Sequence, residues 1–256
     1  MQGATMKKLE IKVISRTNSN RRELIQNHLN EKNLPFTFFD AADKSNITWE
    51  GTNFFFKDQT FELNTTCPFP DAFAGRKWMK IGEVGCFISH YMLWKELAES
   101  DTDAYLILED DAEVMFDSEA MNRFLTNETL QMVDMVLCQS VSPNHPNGKR
   151  AFKFITDKIS VKMPRHFYDW ETTEGTTGYI VTKSGVRMLL HYYLQHKMFN
   201  PVDNFITRCI ADYLDAYLCP TYLQVGMGKY WRDTEIHYNK ENGKTISIEG
   251  ITFKYE

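Results

Sequence analysis

The chain has 256 residues, 43% of them hydrophobic and 25% charged, with a formal net charge of −5. That is enough chain to bury a sizeable core, and the balance is that of a soluble globular protein. The acidic balance gives no basic footprint for nucleic acid, and no run nears the ~18 consecutive apolar residues of a membrane-spanning helix.

The N-terminus, "MQGATMKKLEIKVIS", lacks the apolar core of a signal peptide. Met6 can serve as a start, so residues 1–5 are given no meaning. The five cysteines, Cys67, Cys86, Cys138, Cys209 and Cys219, are odd in number and scattered without a CxxC pair. This spacing argues against a disulfide framework or a zinc site, and for a reducing cytosol.

"IKVIS" (11–15) is a short β-branched run that predicts a strand. In the "RTNSNRRELIQNHLNEKN" that follows, Asn18 and Ser19 are candidate caps, and Leu24, Ile25, His28 and Leu29 recur at helical spacing. "PFTFFDAAD" predicts a second strand ending at Asp40. Strand, helix, strand is the pattern of a parallel sheet with helices on its faces. Residues 43–80 have no clear period and predict an irregular excursion.

"GEVGCFISHYMLWKELAES" (82–100) predicts a helix with Val84, Phe87, Ile88, Tyr91, Trp94 and Leu97 along one stripe. It leads into the strand "AYLIL". "QMVDMVLC" (131–138) and "TGYIVT" (177–182) predict further strands, and "KSGVRMLLHYYLQH" and "DNFITRCIADYLDAY" later helices. The last thirty residues read as extended or loopy. With no internal repeat, low-complexity segment or Pro/Gly linker, residues 1–256 are expected to form a single domain.

"AYLILEDDAEVMF" (104–116) sets Glu109, Asp110 and Asp111 side by side directly after a buried strand. Like charges this close repel unless something positive opposes them. A solvated turn is the plain explanation. The alternative is chemical, because open α/β sheets bind ligands beyond the carboxyl ends of their strands. Carboxylates gathered there suit a hard divalent cation, Mg²⁺ or Mn²⁺, and a phosphate-bearing substrate. Phosphoryl transfer would call for a GxxxxGK[ST] loop or an acidic nucleophile near the chain start, and neither is present. In sugar transfer a cation neutralises the diphosphate leaving group and a separate carboxylate takes the acceptor's proton.

Six segments occur in order: "VISRTNSNRRELIQNHL", "FTFFDAAD", "GEVGCFISHYMLWK", "AYLILEDDAEV", "GTTGYIVTKSGVRML" and "PVDNFI". Together they resemble the bacterial family 25 glycosyltransferases, lipooligosaccharide enzymes whose relatives include collagen galactosyltransferases. The resemblance runs over most of residues 11 to about 237. It implies an α/β, GT-A type fold with a Rossmann-like, mostly parallel central sheet flanked by helices. It also implies a UDP-sugar donor, inversion at the anomeric carbon and a divalent metal, Mn²⁺ or Mg²⁺.

By the same resemblance, Asp111 touches the metal, with Glu109 and Asp110 arranging its waters and the donor's ribose or sugar. Ser15 and Arg16 match the uracil site, and Arg22 or Arg21 reaches the diphosphate through a guanidinium fork. As a pair the arginines also suit an exposed helix face. Asp40 would accept from uracil or ribose, or serve as a turn residue. Glu83, Ser89 and His90 fall in the donor pocket, although Glu83 also suits a helix start and His90 a core hydrogen bond. Cys86 reads as core packing, and Glu113 and Asp117 as loop and helix surface. Asp203 in "PVDNFI" is the expected general base on the acceptor side, although Asp is also a favoured N-cap. His237 is a candidate last metal ligand, or an exposed loop histidine.

The expected activity is transfer of galactose from UDP-galactose to a lipooligosaccharide core sugar, in the cytoplasm at the inner face of the inner membrane. UDP-glucose or a UDP-N-acetylhexosamine is the alternative donor. A catalytically inactive nucleotide-binding regulatory or assembly protein is the alternative of another class. The basic stretch 148–166, with Lys149, Arg150, Lys153, Lys158, Lys162 and Arg165 against Asp157, is either a solvated face or a surface for a phosphorylated or membrane-borne partner.

Overall fold

The structure is a computed structural model that describes residues 8–66, 79–126, 133–138, 161–162, 176–219, 223–227, 245–248 and 251–254. Its centre is a seven-stranded sheet. The strands, with β9 and β10 falling later in the chain than β8, lie in the order β2 (Phe36–Asp40), β1 (Leu9–Ser15), β6 (Ala104–Glu109), β10 (Gly178–Thr182), β8 (Met135–Leu137), β11 (Ala216–Leu218) and β9 (Val161–Lys162). β1 is parallel to β2 and to β6, and β8 to β11. β10 runs antiparallel to both β6 and β8, and β9 antiparallel to β11. Five strands therefore point one way and two the other, so the sheet is mostly parallel but reversed at the "TGYIVT" strand.

Helices cover both faces. α2 (Ile81–Glu99), α4 (Lys183–His196) and α5 (Val202–Asp212) belong to one side, and α1 (Arg21–Glu31) and α3 (Ser118–Leu125) to the other. The pleat divides each strand between two cores. Tyr105 and Ile107 of β6 join the core on the α2 side, while Ala104, Leu106 and Leu108 join the α1 side. Ile14 of β1 faces α2, and Ile11 and Val13 face α1. Both faces being covered, β6 is apolar at every position from Ala104 to Leu108.

α2 is buried around more of its circumference than a single stripe. Val84, Phe87, Ile88, Trp94 and Leu97 are buried as the spacing predicts, and Glu83, Gly85, Ser89, His90 and Leu93 are buried too. It is held between the sheet and the α4–α5 pair. Gly85 permits the closest approach, because a Cβ there would stand 2.3 Å from the Ala42 carbonyl oxygen.

The excursion at 43–80 contains a three-stranded antiparallel meander, β3 (Thr48–Glu50), β4 (Asn53–Phe56) and β5 (Gln59–Glu62). Two-residue turns join them. Gly51 and Lys57 take the left-handed backbone these turns need, at φ 56° and 50°. Phe54, Phe56 and Phe61 bury against the α2 core. Strands this short give no period to read. Further along, β7 (Ala112–Val114) pairs antiparallel with β12 (Val225–Met227), and β13 (Thr245–Ile248) with β14 (Ile251–Lys254) in a hairpin. Among the described residues, no helix is long and apolar enough to cross a membrane.

Candidate active site

β1, β2 and β6 are parallel, so their carboxyl ends, Ser15, Asp40 and Glu109, come together on one edge. Alternation along β6 decides what happens to the acidic triplet. Glu109 follows Tyr105 and Ile107 to the α2 side, and Asp110 goes to the α1 side.

On the α1 side Asp110 is fully engaged. Its Oδ2 accepts hydrogen bonds from Ser15 Oγ at 2.7 Å and Ser19 Oγ at 2.9 Å, and its Oδ1 lies 3.0 Å from Arg21 Nη2. Ser19 Oγ also accepts from the Arg21 N–H, which steadies the start of α1. Arg22 pairs with Asp40 at 2.8 Å and lies over the Phe38 ring at 4.3 Å. Both arginines are thus drawn to strand-end carboxylates, not spread over an exposed helix face. Arg16 contributes its carbonyl, which closes the turn to Ser19 N–H.

Glu109, on the α2 side, and Asp111, in the turn after β6, are less well matched. Glu109 Oε1 accepts from Thr176 Oγ1 at 2.5 Å and from the Cys86 thiol at 3.9 Å, with His90 Nε2 at 3.5 Å. Burial pushes Glu109 up, but His90, Thr176 and Arg21 outweigh it and hold the carboxyl below its usual range. Asp111 is the opposite case. Its Oδ2 is 3.6 Å from Arg21 Nη1, while its Oδ1 is buried without a hydrogen-bond partner. Burial and the charge of Glu109 push its carboxyl up to about 7, against the pull of Arg21.

His90 is wholly buried. Its Nδ1 lies 2.8 Å from Tyr179 Oη, which also accepts from Trp94 Nε1 at 2.8 Å. Trp94 can only donate, so Tyr179 Oη accepts from it and meets Nδ1 as donor or as second acceptor according to the imidazole tautomer. Burial, then Glu109, Asp203 and Asp111 push the Cys86 thiol well up, while Thr176 opposes them. Three carboxylates from β6, the turn after it and α5 therefore act on one point. That point is the Cys86 thiol of α2, beside the end of β6.

Asp203 stands in the first turn of α5, with Pro201 at the N-cap position, and its Oδ1 accepts from the Asn204 N–H at 2.8 Å. It is not the cap itself. Two other candidates have their polar atoms engaged within the fold. Ser89 Oγ donates to the Gly85 carbonyl at 2.8 Å and accepts from the Ala42 N–H at 2.9 Å, so this buried hydroxyl joins α2 to the turn after β2. Glu83 accepts from the Lys80 N–H at 2.7 Å, the carboxylate half of a helix-start cap. Asp117 caps α3 through the Ala120 N–H, and Glu113 is exposed. His237 lies outside the described residues, as does the basic stretch 148–166 apart from the backbone of β9. Thr176, Tyr179 and Trp94 were not anticipated as site residues. Thr176 sits in the quoted "GTTGYIVT" segment, and only the fold brings it to Glu109.

The model of the family described as "Glycosyltransferase family 25 (LPS biosynthesis protein)" matches residues 8–206. "Procollagen galactosyltransferase 1-B" of Xenopus laevis is 27% identical over 192 residues, covering 73% of this chain and 28% of its own length. "Lipooligosaccharide biosynthesis protein lic2B" of Haemophilus influenzae is 25% identical over 194 residues, 69% of this chain and 60% of its own. "Inactive glycosyltransferase 25 family member 3" of Mus musculus is 27% identical over 175 residues, 67% and 28%. The chain thus spans under a third of the animal relatives and about three fifths of the bacterial one. Described residues of the candidate site, from Ser15 to Asp203, all lie inside the matched span, and the chain belongs to glycosyltransferase family 25.

Proposed function

We propose that the chain is an inverting, metal-dependent hexosyltransferase of GT-A type. It moves galactose from UDP-galactose to a lipooligosaccharide core sugar, in the cytoplasm at the inner face of the inner membrane. The observation that carries this is Asp111, a carboxylate with a buried orphaned oxygen, set against an anionic Glu109 at a strand-end crevice. Oxygen donors in mutual repulsion fit a hard divalent cation, Mn²⁺ or Mg²⁺. When bound, such an ion neutralises the charge growing on the diphosphate as it leaves.

The remaining steps belong to the chain's own side chains. Arg21, between Asp110 and Asp111, offers the diphosphate a guanidinium fork. Ser15, Arg16, Arg22 and Asp40 line the adjoining strand ends and receive the nucleoside. Asp203, across the crevice on α5, accepts the proton from the acceptor hydroxyl as that oxygen attacks the anomeric carbon from the face opposite the diphosphate. The relatives named for galactosyl transfer and for lipooligosaccharide synthesis support this choice of donor and acceptor.

The test is a thermal-shift screen of UDP-galactose, UDP-glucose and UDP-N-acetylhexosamines with and without Mn²⁺, paired with UDP release on lipooligosaccharide. Ligands that bind only the folded state raise its apparent stability by mass action. The expected result is the largest shift with UDP-galactose plus Mn²⁺, and UDP release that requires the acceptor. A larger shift with another UDP-sugar reassigns the donor. A Mn²⁺-dependent shift without UDP release from any donor favours an inactive nucleotide-binding role, the class named in the mouse relative. No shift with any UDP-sugar overturns the proposal.

A further inference from the structure

We propose that Cys86, His90 and Glu109 form a second metal site, one that takes a thiophilic divalent ion of the Zn²⁺ class beside the oxygen-only Asp111. Cys86 and His90 are four residues apart on α2 and so share one face. Glu109 reaches them from the end of β6. The three ligand atoms lie within 4.8 Å of one another, with Sγ 3.9 Å and Nε2 3.5 Å from Glu109 Oε1. Around one tetrahedral zinc such donors stand about 3.3–3.6 Å apart, from bond lengths of about 2.0–2.3 Å. Small side-chain shifts bring the three donors to that spacing and leave the fourth position open.

An independent observation points the same way. His90 is 0% exposed, and its Nε2 is buried without a hydrogen-bond partner of good geometry. A buried polar atom left in that state is costly, and it is aimed at the other two ligands. Behind it, Tyr179 and Trp94 hold Nδ1 in place, as outer partners hold ligating histidines. On binding, the Cys86 proton leaves to solvent, and the neutral His90 offers its Nε2 lone pair with its one proton on Nδ1, toward Tyr179 Oη. A thiolate and a carboxylate then balance the ion's two charges. Thiolate and imidazole favour Zn²⁺ or Co²⁺ over Mg²⁺ and Mn²⁺, so the two sides of Glu109 sort metals by softness. This site does not depend on the sugar-transfer proposal, although the two share Glu109.

The test uses the full chain after chelation, titrated with Co²⁺ as the coloured stand-in for Zn²⁺. The expected result is a 1:1 thiolate-to-cobalt charge-transfer band that Zn²⁺ abolishes. Cys86→Ser should remove the band, His90→Gln, which removes a ligand, should weaken Co²⁺ binding by more than the ~10-fold seen on losing an outer partner, and Asp111→Asn should leave the band in place. Unaltered protein supplies a second readout that does not depend on folding of a variant: Zn²⁺ should protect Cys86 from alkylation, followed by mass spectrometry. Absence of the band at excess Co²⁺, its survival in Cys86→Ser, or equal alkylation of Cys86 with and without Zn²⁺ overturns the site. Failure of the transfer proposal shows instead as loss of the UDP and Mn²⁺ thermal shift, which these spectra do not read.

Discussion

Asp110 and Asp111 are adjacent in the chain, each with a side chain 9% exposed, yet they occupy opposite situations. Asp110 has two serine hydroxyls and a guanidinium, the full complement that a buried carboxylate requires. Asp111 has a longer contact to the same arginine, an orphaned oxygen, and Glu109 as an anionic neighbour. One carboxylate stabilises the fold and fixes the strand ends. Its neighbour is held at a cost to stability, as groups reserved for a ligand tend to be. The pleat of β6 and the turn after it make the division.

The comparison breaks most readily at Asp203, on the poorly matched side. Asp203→Asn keeps the size of the side chain and its acceptance from the Asn204 N–H, but not its capacity to take a proton. With saturating donor and acceptor, turnover should fall by about 10²- to 10⁴-fold while UDP affinity is retained. Near-parental turnover would remove Asp203 from the mechanism. Across the sheet, Asp110→Ala should act on stability instead. It strands Arg21 and two serines, and should cost about 3 kcal/mol in denaturant unfolding, at the low end for a broken buried pair because Asp111 is still 3.6 Å away. If Asp110→Ala left stability unchanged, the contrast between the two aspartates would be wrong.

How much of this was legible differs by feature. β1, α1, β2, α2, β6, β8, β10, α4 and α5 follow from hydrophobic period and caps, and α4 begins where Thr182 Oγ1 accepts from the Gly185 N–H, whereas the short strands β3, β4, β5, β7 and β9 carry no such signal. The division of the triplet was not legible. β6 is covered on both faces, so "AYLIL" has no alternation to mark which side faces which helix. The reversed direction of β10 has no local signal either, since antiparallel and parallel strands use the same residues. Cys86 and His90 show their helical spacing in the sequence, but their third partner is 23 residues beyond Cys86 on another element. A search for CxxC passes over that combination.

A third prediction uses pH to sharpen the contrast. The Asp111 carboxyl titrates near 7 in the folded chain and near 3.8 when unfolded. Below about pH 4 both states hold the proton, so the group has no effect. Between there and about 7 the folded state retains a proton that the unfolded state has released, so stability falls as pH rises, and above about 7 the whole penalty is present. Asp111→Asn should therefore raise Tm at pH 8, leave it nearly unchanged at pH 4, and flatten the curve between, while losing most of the Mn²⁺-dependent shift with UDP. A Tm gain of the same size at both pH values would point to packing and not to ionisation.

The smallest expected effect is at Ser89, which tests where the crevice ends. Its hydroxyl accepts from the Ala42 N–H and donates to Gly85, at the joint where the close approach of Gly85 brings α2 against the turn after β2. Ser89→Ala leaves that buried N–H without a partner and should cost about 1–2 kcal/mol. A methyl in place of the hydroxymethyl adds no bulk, so the helix has no reason to move, and UDP affinity should stay within about 2-fold, less than a typical hydrogen bond is worth. The joint then ranks as support for the strand ends, comparable in kind to Asp110 but weaker. A tenfold loss of UDP affinity at unchanged stability would reverse that ranking and place Ser89 in the donor pocket.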